Sequence, residues 1–170
     1  MKFYTFLFSI IAFIAIVVAT GWDDLNRNLS SIQDQSSTFG NTVTSGQVTA
    51  QTAAQITANA NALTKGFDIA TQTVSNFQGT ITANEIDLIT KYLTASASSV
   101  ETGEKNIVGI AASLKSNNAG DKVGTALASL YASVTKFSSA LSAKVSVQKV
   151  QDQTAKLIAS TKSGAQAFGK

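Results

Sequence analysis

From residue 21 onward the chain repeats one pattern, an aliphatic or aromatic side chain at every third or fourth position with Ser, Thr, Ala, Asn and Gln between. That spacing is the helical one, and no alternating strand-like run of convincing length competes with it. It is sharpest from Ala83 to Lys115. There Ile86, Leu93, Val100, Ile107 and Leu114 recur every seven residues, with Ile89 and Ile110 at the alternate core positions. Thr82-Ala-Asn-Glu85 reads as a capping box at the start of this helix, since the Thr hydroxyl and the Glu carboxylate can each satisfy a free backbone N–H. Ser116-Asn-Asn-Ala-Gly120 is a turn cluster that ends it.

The same spacing predicts four further helices. Gln47 to Asn76 places Ile56, Leu63, Phe67, Ala70, Val74 and Phe77 on one face, and Gln78-Gly79-Thr80 stops it. Asp121 is positioned to cap a helix bearing Val123, Leu127, Leu130, Tyr131, Val134, Phe137, Leu141 and Val145, the densest stripe in the chain. Ser146 is positioned to cap a last helix with Val147, Val150, Leu157, Ala165 and Phe168 inward. A weaker stripe of Trp22, Leu25, Leu29, Ile32, Phe39 and Val43 precedes them all, with Gly40 and Gly46 marking its end. Amphipathic segments joined by short turns must bury their stripes against one another. The expected fold is therefore all-α, an elongated antiparallel bundle of about five amphipathic helices, each about 45 Å long for about 30 residues.

The first 20 residues are set apart from this fold. One charge at Lys2, an apolar run from Phe3 to Ala19 and a small-residue boundary before Trp22-Asp23-Asp24 read as a secretory signal peptide, cleaved after Ala19 or Thr20. The competing reading is an uncleaved anchor, because the run approaches the roughly 20 residues that cross a bilayer. The expected organisation is a signal peptide at 1–20 and a single helical-bundle domain at 21–170. After cleavage no stable transmembrane span is expected. The C-terminal Gly164-Ala-Gln-Ala-Phe-Gly-Lys170 lacks the apolar tail of a glycolipid-anchor signal, so a soluble or non-covalently retained product is expected.

Composition then removes function classes. Neither His nor Cys occurs, which takes away the usual nucleophile-activating base, the thiolate nucleophile, and the common zinc and copper ligands. No disulfide can form, so stability must come from packed stripes. Without Lys2 the basic residues number 12 against 10 acidic, in no run and with no interleaved aromatics, which is no nucleic-acid signature. Glycines are scattered singly and form no phosphate loop. Glu101 and Glu104 share a helix face offset from the Val100 stripe, so a solvated surface is expected there rather than an acid/base site. The sequence thus predicts no enzyme, no catalytic residues, no metal and no cofactor. Asn28-Leu-Ser30 makes Asn28 a glycosylation candidate.

One irregularity points to function. Between Ile89 and Ile110 the alternate core positions of the long helix are Ser96 and Gly103, small residues where a bundle centre normally holds large ones. Gly66 and Ala70 do the same beside Phe67. Either the helices approach closely here, with Tyr131 and Phe137 of the fourth helix filling the space, or it is an apolar cavity or loose seam able to accept an acyl chain or open onto an apolar surface.

From about Ser45 to Ser146 the chain resembles the fungal hydrophobic surface-binding protein family, which includes cell-wall mannoproteins. The resemblance lies in a signal peptide followed by a cysteine-free, Ala/Ser/Thr-rich chain. It lies also in the segments Ala53-Ala-Gln-Ile-Thr-Ala-Asn-Ala-Asn-Ala-Leu-Thr-Lys-Gly66, Ala126-Leu-Ala-Ser-Leu-Tyr131 and Phe137-Ser-Ser-Ala-Leu-Ser-Ala-Lys144, and in the capping box at Thr82. It implies a secreted helical bundle that adsorbs to hydrophobic surfaces, some relatives holding fatty acids or other lipids inside. The chain departs from the family in having Thr80-Ile81-Thr82, with no proline, ahead of the long helix.

The expected function is a secreted, extracellular or cell-wall-associated protein that binds a hydrophobic surface, a fatty acid or another lipid. Its candidate contacts are Ile56, Leu63, Phe67, Ile89, Leu93, Ser96, Val100, Gly103, Tyr131 and Phe137. The alternative is a structural or adhesion protein that meets a cell-wall polymer and has no ligand of its own.

Overall fold

The computed structural model describes residues 21–43 and 48–170; the expected signal peptide at 1–20 lies outside the described residues. Five helices follow one another: α1 (Trp22–Gly40), α2 (Ala50–Asn76), α3 (Ala83–Ser116), α4 (Gly120–Lys144) and α5 (Gln148–Ala167). Successive helices reverse direction, so the fold is the expected all-α up-and-down bundle.

The neighbour pattern is more specific. α1 packs on α2 and α3, α3 on α5, α5 on α4, and α4 on α2, which closes a ring, whereas α3 makes little direct contact with α2 or α4. The helices thus lie in two layers. α1, α3 and α5 run side by side in one direction with α3 in the middle; α2 and α4 run together in the other. Polar pairs fix the register. Asn28 Nδ2 donates to Thr73 Oγ1 at 2.7 Å and Asn59 Nδ2 to Thr42 Oγ1 at 2.8 Å, as the antiparallel α1–α2 pair requires. Ser133 Oγ donates to Asp68 at 2.7 Å and Lys144 Nζ to the Phe77 carbonyl at 3.1 Å along the parallel α2–α4 pair.

Two helix starts are capping boxes. At α3, Thr82 N donates to Glu85 Oε2 at 2.6 Å and Glu85 N to Thr82 Oγ1 at 3.4 Å, as the sequence predicts. At α2, Thr49 and Thr52 make the same exchange, so that helix begins at Ala50 rather than Gln47. Two expected caps are absent. α4 begins at Gly120 after Ala119, leaving Asp121 inside the first turn, where its charge faces the helix dipole instead of a backbone N–H. α5 begins after Val147 with no side-chain cap, so Ser146 does not serve. Gly79 turns the α2–α3 link with φ +116°, a conformation that side chains disfavour.

The stripes meet in one core. Leu25, Leu29, Phe39, Ile56, Leu63, Phe67, Leu93, Val100, Leu127, Phe137, Leu141 and Leu157 are fully buried, each contributing about 1.5–3 kcal/mol. α1, which the sequence marks as the weakest stripe, buries Leu25, Leu29, Ile32 and Phe39 as completely as any other helix. On α5 the inward row is Val150, Thr154, Leu157, Thr161 and Ala165. Its threonines enter the core because each can satisfy its own hydroxyl; Thr161 Oγ1 donates to the Leu157 carbonyl at 2.9 Å.

Candidate functional site

On α3 three rows divide the work. Gly103 lies against α1 and Glu104 against α5, so the row between them, Leu93, Val100, Ile107 and Leu114, faces the α2–α4 layer. Because α3 stands off from that layer, the gap is bridged by side chains alone. Of the sequence-predicted contacts, Ile56, Leu63, Phe67, Ile89, Leu93, Val100 and Phe137 are all fully buried in this interior. The Phe67 and Phe137 rings pair across α2 and α4 with centroids 5.4 Å apart at 53°. Tyr131, by contrast, is half-buried at the edge of the stripe.

The close helix approach expected at the small residues is present, but the helix that comes in is α1. A Cβ on Gly103 would stand 2.8 Å from Cδ1 of Phe39, so the space is taken by α1, not by Tyr131 and Phe137. One turn away, a Cβ on Gly40 would meet the Ser99 carbonyl oxygen at 2.6 Å. Gly66 likewise admits the Gln35 amide of α1. Gly40 and Gly103 let α1 and α3 approach at backbone distance, and Gly66 lets an α1 side chain lie on α2.

Ser96 is 1% exposed, and its Oγ has no hydrogen-bond partner; the same is true of Ser36 Oγ on α1. The Gly40–Ser99 and Phe39–Gly103 approaches place these two hydroxyls at about the same height in the parallel α1–α3 pair. A buried polar group without a partner costs about 1–3 kcal/mol, so an apolar interior that retains two of them is not optimised for packing alone.

Glu104 corrects the expectation of a solvated face. It is 2% exposed, both carboxylate oxygens lack partners, and its carboxyl lies directly over Gly164 of α5, where no Cβ could fit. Burial pushes its pKa up to about 8. Glu101, one turn away, is exposed; a hydrogen bond and the charge of Lys105 hold its carboxyl below the usual range. The signal for Glu104 was in the sequence: Ala97 and Ala111 flank it seven residues to either side, and all three belong to a row that α5 covers.

Of the clefts on the outside, two border the residues discussed above. One of about 840 Å³ lies at the end of the bundle between the start of α2 and the α3–α4 turn; core residues Ala53 and Leu114 form part of its lining, with Lys122 and Asn118 among its polar members. The other, of about 450 Å³, follows the α3–α5 seam over Glu104. Among the described residues no cluster of potential metal ligands occurs, and no helix is long and apolar enough to cross a membrane. Asn28 sits mid-helix in α1, and the nitrogen that would carry a glycan donates to Thr73.

No family profile and no curated protein matches the chain. Solved structures do. Ligand-binding domain 2 of the Penicillium marneffei MP1 protein, complexed with multiple arachidonic acids, superposes with TM-score 0.67 at 16% identity, over 92% of this chain and 98% of that one. AFMP4P in complex with palmitic acid superposes with TM-score 0.74 at 19% identity, over 87% of this chain and 99% of that one. The five-helix bundle is their fold. Both of these bundles hold fatty acids. At such identities the shared property is the architecture, and which side chains of this chain would touch a ligand must be argued from its own interior.

Proposed function

We propose that this chain is a secreted, non-enzymatic binder of long-chain fatty acids or similar apolar ligands, holding the acyl chain between its two helix layers. The observation that carries the reading is the interior itself. α3 stands off from α2 and α4 across a gap bridged by buried apolar side chains, and beside it the α1–α3 pair carries the buried, unpartnered hydroxyls of Ser36 and Ser96. An acyl chain could replace side-chain contacts along Ile56, Leu63, Phe67, Leu93, Val100 and Phe137 at about 0.8 kcal/mol per buried CH₂. The two hydroxyls would meet its carboxyl group. Support comes also from the family resemblance in the sequence and from the two fatty-acid complexes with the same fold.

Adsorption to a hydrophobic surface would use the same stripes after the layers part. Among the described residues the large exposed apolar side chains are Ile69 on α2 and Leu88 and Val108 on α3, the last two twenty residues apart along one helix. Native mass spectrometry of the mature protein with palmitate tests the reading. A complex that dissociates on denaturation, together with a saturable rise in unfolding temperature, is the expected result. No bound mass and no protection at any chain length would leave a structural role instead.

A further inference from the structure

The α3–α5 seam holds the one buried ionisable group of the described core. Glu104 reaches from α3 across the seam onto Gly164, and the groove above it is lined by Glu101, Lys105, Val108, Lys156, Ser160 and Ser163. Both oxygens are covered and unpartnered. The titratable groups facing the groove are Glu101 and Lys105 on its own helix and Lys156 on α5; α1 and α4, the outer neighbours of these two helices, contribute none to its lining. Lys105 is bound to Glu101, and Lys156 also lowers Glu101, so neither lysine is committed to Glu104.

A carboxyl in this position is tolerated while it is neutral. Once charged it must find water or a cation, and both lie outward, in the groove. Swinging out would leave the seam poorly filled at that level, because its neighbours in the row are Ala97 and Ala111 and the surface it covers is Gly164. Glu104 is thus the plug of the seam at this level, where the α5 surface beneath it is Gly164. We propose that the α3–α5 seam is a lateral gate to the bundle interior, closed while the Glu104 carboxyl carries its proton and loosened when it loses it. That a ligand passes through it rests on the fatty-acid reading above; the loosening itself does not. The raised pKa places the change in mildly alkaline solution, within reach of ordinary external pH.

The test is hydrogen–deuterium exchange on the unliganded protein, corrected for intrinsic rates, from about pH 6 to about pH 9. Peptides spanning 97–111 and 157–165 should lose protection by about tenfold or more relative to α2 and α4, and Glu104→Gln should abolish the dependence. Seam protection that is flat with pH, or that falls equally in Glu104→Gln, overturns the gate. If the Gln variant does not fold, a ¹³C-carboxyl titration of the wild-type protein decides: Glu104 titrating in the ordinary carboxylate range overturns it, and a midpoint near neutrality or above supports it. Because exchange needs no ligand, a seam that loosens in a protein that never takes up palmitate supports the gate and removes only the ligand reading.

Discussion

The side chains that matter most here are those that break the pattern around them. Ser96 and Ser36 spend free energy inside an apolar core, so removing their hydroxyls separates stability from binding. Ser96→Ala should raise stability by about 1 kcal/mol, because an unsatisfied buried group disappears. The same variant should weaken palmitate binding several-fold, read by titration calorimetry. Gly103 tests the packing. Its missing Cβ is what admits the Phe39 ring, so Gly103→Ala should cost about 1–3 kcal/mol in urea unfolding, whereas a cavity wall would accept the methyl group without loss. The sequence marks Gly103 and Ser96 as unusual but points to Tyr131 and Phe137 of the fourth helix for the space that Phe39 of α1 takes at Gly103, because a heptad pattern describes one helix and carries no information on its neighbour. Gly164→Ala should be destabilising by a similar margin, and markedly less so in a Glu104→Ala background, since the two positions compete for one volume.

At the scale of helices, legibility followed the strength of local signals. α3 was readable from end to end because a seven-residue repeat and a capping box agree, and Thr82→Ala should cost about 1 kcal/mol by removing that cap. The starts of α4 and α5 were misplaced because Asp121 and Ser146 are good capping residues in sequences where the backbone turns elsewhere. Glu104 was missed for a related reason. α3 has neighbours on both flanks, so its buried stripe is wider than two heptad rows, and a residue in the third row is covered although its charge suggests otherwise. Its titration gives a pH dependence of definite sign. The unfolded chain loses the proton near the ordinary 4.5, and the folded one near 8. Between those values the unfolded state binds fewer protons, so this group's contribution to stability is greatest on the acid side, falls as pH rises through the interval, and is constant above it. Urea midpoints should show this slope in the wild-type protein and lose it in Glu104→Gln.

At the scale of the molecule, the two-layer arrangement was not readable from five amphipathic stripes, since several ring orders would bury them equally well. What selects this one is the set of glycine approaches and polar pairs between particular helices, such as Gly40 against Ser99 and Asp68 with Ser133, which only become neighbours in the folded state. The odd number of helices has a mechanical meaning. The chain enters α1 at one end of the bundle and leaves α5 toward the other, the two helices of 19 and 20 residues lying side by side along α3 for about 30 Å each. A pull on the two ends therefore runs along the helix axes and loads the α1–α3 and α3–α5 seams in shear, across their whole length at once, instead of peeling one helix away. A bundle of four helices, with both ends on the same side, would unzip under the same tension; this one resists as a strut until a seam slips.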